Sequence, residues 1–294
     1  MKKRFTIAGM GETLWDVYPD GARLGGAPTN FACHAAQLGE RGEVISCVGG
    51  DAQGEQARVE LAELGVGTDF IHVSETLPTG TVEVELDGEG KPRYAITADV
   101  AWDAIPSSHE LLEFATTIDA VCFGVLSQRS EMSRTSIQRV LERMPEGALK
   151  VLDVNLREPW YDKNAVELAL VSANVLKLSD EELPVLAEYF DLRGSAAEQL
   201  ECIRQQFNLR YVVYTCGAEG SALSSENGYL FAPSSKAEVV DSVGAGDAFT
   251  ASFCVGLLRG YAQEDCLKFA NRVAGYVCAQ SGACPELPAS IKNF

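Results

Sequence analysis

The stretch Asp241–Thr250, "DSVGAGDAFT", indicates the start of a helix that can hold an anion. Its small residues precede an apolar run, residues 251–258, that reads as helical. The first backbone N–H groups of a helix have no partner inside the helix, so a start of this kind attracts phosphate. Asp247 nevertheless lies in the first turn, where its carboxylate would repel the phosphate. The acid at this position therefore requires an explanation.

Two interpretations of Asp247 remain open on spacing alone. A carboxylate about 5 Å from a phosphate charge costs roughly 3 kcal/mol at an effective dielectric of 20. A general base contributes about 10²–10⁴ in rate, so a base beside a bound phosphate would offset that cost. The alternative is an acid that only favours the helix dipole, with no phosphate present.

The rest of the chain alternates short buried strands with helices. This alternation predicts an α/β fold in which helices cover both faces of a mainly parallel sheet. In such sheets, ligands bind beyond the carboxyl ends of the strands. The strand candidates are residues 5–9, 44–48, 121–124, 150–154, 174–178 and 211–215.

Two segments depart from this alternation and read as hairpins. The first surrounds residues 14–24, and the second pairs residues 80–86 with 93–97 across a turn at 87–92. We expect one domain over residues 1–294, with a small sheet whose strands are inserted at about 12–26 and 79–102.

The composition excludes several classes of partner and enzyme. The chain has 24 Lys and Arg against 42 Asp and Glu, a net charge of −18, which argues against nucleic acid or an anionic membrane as partner. Nine cysteines without a C-x-x-C pair, and no signal peptide, predict reduced thiols and a cytoplasmic location. The P-loop, G-x-G-x-x-G and G-x-S-x-G motifs are all missing from the sequence.

Six segments in order along nearly the whole chain resemble the ribokinase-like sugar kinases. "DSVGAGDAF" is similar to the C-terminal signature of that family, and "GGAPTNFA" (Gly25–Ala32) to its N-terminal signature. The segments "GETLWD", "AWD" (Ala101–Asp103) and "FGVLSQR" (Phe123–Arg129) most resemble fructokinases. The other family segments are "VGGDAQG" (Val48–Gly54), "DVNLREPWY" (Asp153–Tyr161), "TCGAEG" (Thr215–Gly220) and "FANRVAGYVCAQSGA" (Phe269–Ala283).

The resemblance implies a ribokinase-like three-layer α/β/α core with a small β-sheet lid. It also implies ATP-dependent phosphorylation of a primary hydroxyl of a sugar, with Mg²⁺ bridging the phosphates. By position in the motif, Asp247 is then the catalytic base, and Gly244, Ala245 and Gly246 form the anion hole.

The resemblance further implies a sugar site that includes part of the lid. Asp16, Gly26 and Asn30 match positions that bind sugar hydroxyls, and the loop with Asn155 and Arg157 faces the substrate. Asn30 could instead cap the following helix, and Arg157 could reach a surface carboxylate. Arg129 is a further candidate for substrate contact, with an exposed arginine at a helix start as the alternative.

The remaining matches concern the nucleotide and the metal. Lys177 resembles a lysine near the phosphates, although a solvated lysine is the more common kind. Glu182 keeps the family's metal-organising position, while Ser179 stands where the family usually has asparagine. Asp180 or Glu181 could take over part of that role. The matches to the ATP loop and adenine pocket are Thr215, Gly217, Gly220, Asn271 and Gly282.

Many members of the family also bind a monovalent cation such as K⁺. Carbonyl groups near Asp241, Val243 and Gly282 would form that site here.

The resulting hypothesis is a fructokinase-like enzyme that makes fructose 6-phosphate. The alternatives are a kinase for ribose, 2-keto-3-deoxygluconate or a nucleoside, and a catalytically silent sugar-binding protein. Relatives of this size are often dimers, which makes a homodimer through the lid a further expectation.

Overall fold

Nine of the described strands form one large sheet. The computed structural model describes residues 3–86, 92–234 and 239–293. The spatial order of the strands is β13 (Gly228–Pro233), β12 (Gly220–Ser225), β11 (Tyr211–Thr215), β10 (Val175–Ser179), β9 (Leu149–Asp153), β8 (Ala120–Gly124), β1 (Thr6–Met10), β4 (Arg41–Gly49) and β5 (Gly67–Ser74). All neighbouring strands from β11 to β5 in this order run parallel, whereas β12 pairs antiparallel with both β11 and β13.

Helices cover both faces of this sheet. They are α1 (Ala27–Gln37), α2 (Ala52–Glu63), α3 (His109–Ala115), α4 (Glu131–Arg143), α5 (Lys163–Ser172), α6 (Leu183–Phe190), α7 (Ala196–Gln206), α8 (Ala245–Leu258), α9 (Gln263–Cys278) and α10 (Ala289–Lys292).

Two hydrophobic cores separate the sheet from its two helical layers. Helices α3 to α7 pack on one face against residues such as Phe123 and Leu152. Helices α1, α8 and α9 pack on the other face against residues such as Ile7 and Val151. Val151 and Leu152 are neighbours in β9 and enter opposite cores, because successive side chains of a strand point to opposite faces. The predicted three-layer core with a mainly parallel sheet is confirmed.

The lid is a separate four-stranded sheet formed by the two predicted hairpins. Its strands are β2 (Leu14–Tyr18), β3 (Gly21–Gly25), β6 (Gly80–Leu86) and β7 (Pro92–Ile96), in the spatial order β3-β2-β6-β7. Each hairpin is antiparallel, and the parallel pairing of β2 with β6 joins them. The strands fall within the expected segments 12–26 and 79–102, while most of the predicted turn, residues 87–91, lies outside the described residues.

A tightly packed cluster fixes the base of the lid. Trp102 is 1% exposed, and a Cβ on Gly80 would lie 2.4 Å from its indole nitrogen, so this position has no room for a side chain. The Arg129 guanidinium lies 3.9 Å from the centre of the Trp102 ring and 4.3 Å from that of Trp160. It also donates two hydrogen bonds to the Asp103 carboxylate, at 2.8 and 2.7 Å.

Across the part of the chain that the structure describes, no helix is both long and apolar enough to cross a membrane. All nine cysteines carry free thiols.

Candidate active site

The N-terminus of α8 faces a cavity of about 660 Å³ between the core and the lid. Gly244 precedes the helix at φ 77°, and a Cβ on it would lie 2.2 Å from the carbonyl oxygen of Ala283. Only glycine fits here, because both the backbone conformation and the close contact exclude a side chain. The predicted anion-hole residues Gly244 and Gly246 line the cavity, and Ala245 begins the helix between them.

Asp247 lies in the first turn of α8 and lines the same cavity. The Asn30 amide donates a 2.8 Å hydrogen bond to its Oδ2. Burial raises the pKa of Asp247 to about 7, and the negative charges of Asp153 and Glu12 add to this rise against Asn30 and Lys177. An acid that only served the helix dipole would be stabilised in its charged form, so this interpretation is not supported.

Lys177 and Asp153 form a buried ion pair beside the anion hole. The Lys177 Nζ lies 3.1 Å from Asp153 Oδ1, and both side chains are at most 10% exposed. A Cβ on Gly246 would lie 3.3 Å from the same Nζ, which places the ammonium next to the first turn of α8. Burial acts to lower the pKa of Lys177, but the carboxylates of Asp153, Glu182 and Asp247 raise it overall. The lysine is therefore a fixed positive charge and is not a solvated surface residue.

The predicted sugar-binding residues lie on the lid side of the cavity. Asp16 is on β2, Gly26 precedes α1, and Asn30 is in the first half of that helix. Burial raises the pKa of Asp16 to about 6, with Arg157 acting to lower it and Asp241 to raise it. Because α1 begins at Ala27 with Gly26 as its N-cap, the interpretation of Asn30 as a helix cap is wrong.

Asn155 and Arg157 extend from the loop after β9 and also line the cavity. Asn155 adopts a left-handed backbone conformation at φ 39°, which asparagine tolerates better than most residues. The Arg157 charge acts on the pKa of three cavity carboxyl groups, Glu12, Asp16 and Asp153. Arg157 thus contributes positive charge to the cavity.

Glu182 and Ser179 meet at the carboxyl end of β10. Glu182 Oε2 accepts hydrogen bonds from the backbone N–H and hydroxyl of Ser179, at 2.8 and 3.0 Å. Its Oε1 accepts a 3.0 Å bond from the N–H of Leu156. Among the described residues, no group of three or more His, Cys, Asp or Glu side chains is arranged to hold a metal ion alone. Oxygen donors of this kind suit a hydrated Mg²⁺ that is also bound by phosphates.

Arg129 does not line the cavity, unlike the other predicted substrate-binding residues. Its guanidinium is used at the base of the lid, where it binds Asp103 and the carbonyl oxygen of Thr97. The alternative of an exposed arginine is wrong, because the side chain is only 7% exposed. The structure thus gives Arg129 a role in holding the lid, and direct substrate contact stays a prediction without a contact to support it.

The predicted residues of the ATP loop and the adenine pocket do not line this cavity, unlike Lys177. Thr215 ends β11, and Gly217 and Gly220 bound the short turn that follows, both with positive φ. Asn271 in α9 is buried, and its amide donates to the carbonyl of Ala232 at 2.9 Å. The N–H of Gly282 donates to Asp241, whose carboxylate also accepts from Val243. Asp241 therefore ties together the two loops of the expected monovalent-cation site.

Glu12 and Asp153 are among the cavity residues that were missing from the sequence prediction. Glu12 follows β1, Asp153 ends β9, and both residues line the cavity. Both positions follow from the rule that ligands bind at the carboxyl ends of parallel strands. A carboxylate directly after a buried strand was the signal that could have identified them.

Comparisons with known proteins agree with this arrangement. The pfkB family carbohydrate kinase model matches residues 20–290. A fructokinase of Klebsiella pneumoniae is 30% identical over 260 residues, which cover 84% of this chain and 83% of that protein.

Solved structures show the same similarity over nearly the full length. A Vibrio cholerae fructokinase with fructose, ADP and a calcium ion bound has a TM-score of 0.83 at 25% identity, covering 98% of this chain and 97% of that one. A double mutant of that enzyme with fructose, ADP and a potassium ion bound has a TM-score of 0.84 at 25% identity, covering 99% and 98%.

The family match extends over most of the chain. The structural similarity agrees with the ribokinase-like fold that the sequence motifs implied. The enzyme class follows, a phosphotransferase with an alcohol group as acceptor. From its sequence, its fold and its cavity, this chain belongs to the pfkB family of carbohydrate kinases.

Proposed function

We propose that this protein is an ATP-dependent fructokinase that transfers the γ-phosphate of ATP to the primary 6-hydroxyl of fructose. The observation that carries the proposal is Asp247, a carboxyl group with a pKa near 7 in the first turn of α8. It faces a cavity between the core and a lid that also carries Asp16. The base, the anion hole and the sugar-side residues therefore share one enclosed space.

Asp247 takes the proton from the attacking hydroxyl in this proposal. The hydroxyl oxygen forms a bond to the γ-phosphorus while the bond from phosphorus to the bridging oxygen of ADP breaks. The hydrogen bond from Asn30 orients the carboxylate for this step. A base with a pKa near the working pH is both deprotonated and strong enough to accept a proton.

The N-terminus of α8 and Lys177 stabilise the transferred phosphoryl group. The N–H groups after Gly244 lack partners within the helix and so are available to phosphate oxygens. The fixed charge of Lys177 offsets locally the net charge of −18 that the whole chain presents to ATP. Fixed donors and charges of this kind need no reorganisation during the reaction.

Metal ions complete the proposed site. A Mg²⁺ ion would neutralise charge on the ATP phosphates, and Glu182 and Ser179 would hold it through its water ligands. A monovalent cation would bind the carbonyl groups of the loops that Asp241 connects. The K⁺-bound and Ca²⁺-bound forms of the Vibrio cholerae fructokinase support ion binding in this family.

The charges on the sugar side favour a neutral acceptor. Glu12, Asp16 and Asp247 bring three carboxyl groups to this part of the cavity, and Arg157 brings one positive charge. An acidic acceptor such as 2-keto-3-deoxygluconate would be repelled by this set. The fructose-bound structures of the Vibrio cholerae enzyme agree with a neutral sugar.

The test is ADP release with ATP and a panel of fructose, ribose, 2-keto-3-deoxygluconate and a nucleoside. We expect fructose to give the highest kcat/KM, with fructose 6-phosphate as the product seen by NMR. Preferred turnover of another compound would show that fructose is not the substrate, while the kinase function would stand. Sugar binding by calorimetry without turnover of any compound would favour the silent sugar-binding protein.

Two further expectations accompany this proposal. A cytoplasmic kinase with a homodimer formed through the lid would match the acidic composition and the free thiols. Light scattering after gel filtration, with and without substitutions on the lid, would test the dimer.

A further inference from the structure

Glu12 lies at the carboxyl end of β1, after the turn at Gly11. Glu12 is only 3% exposed, yet it lines the cavity together with Asp16, Asn30 and Asp247. Glu12 is therefore shielded from bulk water and lies in the wall of the space where the proposed acceptor binds.

The backbone of Glu12 is held firmly by its neighbours. The Thr29 hydroxyl donates a 3.0 Å hydrogen bond to the Glu12 carbonyl and contacts the Thr13 hydroxyl at 2.8 Å. Gly26 packs so closely that a Cβ there would lie 2.2 Å from the same carbonyl oxygen. The side chain is thus directed by a rigid local structure, as binding residues require.

The carboxyl group is only partly satisfied by the protein. Glu12 Oε2 is buried and has no hydrogen-bond partner in the described part of the chain. The backbone N–H of Ala27 and the hydroxyl of Ser127 lie beside the carboxyl group and act to lower its pKa. Burying a carboxyl group without a partner costs free energy, so a group retained in this state is expected to serve a ligand.

The ionisation of Glu12 suits contact with a hydroxyl. Burial raises its pKa to about 7, although the Arg157 charge and nearby backbone N–H groups act to lower it. At neutral pH both forms of the group are populated. A protonated carboxyl can donate and accept, and a carboxylate can accept, so either form can bind a sugar hydroxyl.

We propose that the Glu12 carboxyl group binds a hydroxyl of the acceptor sugar and so helps to determine which sugar this enzyme phosphorylates. The proposal rests on the proposed function, because it assigns a contact within the same acceptor site. Glu12 would then bind the sugar together with Asp16 and Asn30, which line the same cavity.

The test compares the wild-type enzyme with Glu12→Ala and Glu12→Gln. We expect Glu12→Ala to raise the KM and the Kd for fructose about tenfold to a hundredfold, as for loss of a hydrogen bond to a charged group. Glu12→Gln keeps hydrogen-bonding atoms and should recover part of this loss. The KM for ATP should change less than about twofold. Removing an unsatisfied buried carboxyl group should not lower Tm.

Single-deoxy analogues of fructose identify the contacted hydroxyl. One analogue should bind the wild type more weakly than fructose does, but should bind Glu12→Ala as well as fructose does. If each analogue loses the same factor with both proteins, Glu12 does not contact the sugar. A fructose KM and Kd for Glu12→Ala within about twofold of wild type would overturn the proposal in the same way.

Glu43→Gln is the matched control. Glu43 is also 3% exposed and also has a buried Oε2 without a partner, but it pairs with Arg41 away from the cavity. Glu43→Gln should leave the fructose KM unchanged, whereas a rise equal to that of Glu12→Gln would indicate a general effect of buried charge.

Calorimetry separates this proposal from the proposed function. Fructose binding without turnover would reject the kinase function, while the effect of Glu12→Ala on the Kd would still decide the role of Glu12. If the wild type binds no sugar of the panel, both proposals fail.

Discussion

Asp247 is surrounded by groups that set both its orientation and its charge. Asn30 holds Oδ2, Lys177 lies nearby as a fixed cation, and the carboxyl groups of Asp153 and Glu12 oppose ionisation. With a pKa of about 7, the group changes protonation in the physiological range. These features suit proton transfer better than a structural role at a helix end.

Replacing this carboxyl group should abolish catalysis without abolishing binding. Asp247→Asn keeps the size of the side chain but removes the base, so we expect kcat to fall by at least about a hundredfold. Fructose and ATP affinities, measured by calorimetry, should stay within about threefold of wild type. Turnover close to the wild-type rate would show that another group acts as the base.

The same pKa predicts a dependence of activity on pH. Only the deprotonated form of Asp247 can accept a proton, so kcat/KM for fructose should fall about tenfold per pH unit below about pH 7 and level off above it. Initial rates between about pH 5.5 and pH 9 provide the measurement. An acidic limb at or below about pH 5 would contradict the assignment.

Ionisation of Asp247 should raise activity but lower the stability of the folded protein. The folded-state pKa lies above the usual value of 3.8 for an aspartate, so ionisation of Asp247 destabilises the folded protein as pH rises from about 4 to about 7. Asp247→Asn lacks this cost and should be more stable than wild type at pH 8. The difference should shrink as the pH falls towards 4.

The positions of Asp247 and Gly244 at the start of α8 were predictable because both belong to a contiguous motif. Glu12 and Asp153 were missed, although each lies at the carboxyl end of a buried strand, because only the fold shows that β1 and β9 lie on either side of β8. Arg129 was assigned to substrate contact, but its partners Asp103 and Thr97 are distant in sequence. A local pattern does not show where such a long side chain will bind.

Helix α8 is the element on which the proposed anion hole depends, and a glycine flanks it at each end. Gly244 and Gly260 both have φ 77°, a conformation that is unfavourable for other residues. A Cβ on Gly244 would meet the Ala283 carbonyl at 2.2 Å, whereas a Cβ on Gly260 would meet nothing within 4 Å. Comparing the same substitution at the two glycines therefore separates the effect of backbone strain from that of steric conflict.

We expect Gly244→Ala to be much more damaging than Gly260→Ala. Both variants introduce the unfavourable φ, at a cost of about 1–2 kcal/mol, which should appear as a modest fall in Tm. Gly244→Ala must in addition displace the Ala283 loop or the start of α8. Its kcat should therefore fall at least about tenfold, while Gly260→Ala keeps kcat. Equal kinetic effects of the two substitutions would mean that the contact at Ala283 is not important for the anion hole.

Element boundaries were predictable where turn and cap residues mark them. The strands β2, β6 and β11 begin and end where the pattern indicated. The start of α1 was placed too late, because Asn30 was considered as the helix cap, whereas Gly26 is the N-cap and Pro28 lies in the first turn. The strands β5, β12 and β13 were missed, since β12 is rich in small and polar residues that favour no element strongly.

The whole molecule carries a strong negative charge that its fold must accommodate. A net charge of −18 produces repulsion between surface groups, and salt screens this repulsion. Within the cavity, Lys177 and Arg157 place two positive charges among its carboxyl groups. The general surface and the active site should therefore respond differently to ions.

Raising the ionic strength should stabilise the protein. Between about 20 and about 200 mM tetramethylammonium chloride, we expect Tm to rise by about 2 °C or more, because screening weakens the repulsion. This cation is too large for a site formed by backbone carbonyls, so KCl at equal ionic strength is the control. A larger rise in KCl would report specific K⁺ binding, and a fall in Tm with salt would contradict the argument.

The hydrogen bond between Asn30 and Asp247 has a consequence for the regiochemistry of the product. With Oδ2 held by the amide, the carboxylate cannot turn to follow different acceptor positions. The sugar, fixed by its own contacts, then presents one oxygen to the base in line with the phosphate. The enzyme should therefore form a single monophosphate isomer rather than a mixture, even from a sugar with two primary alcohols.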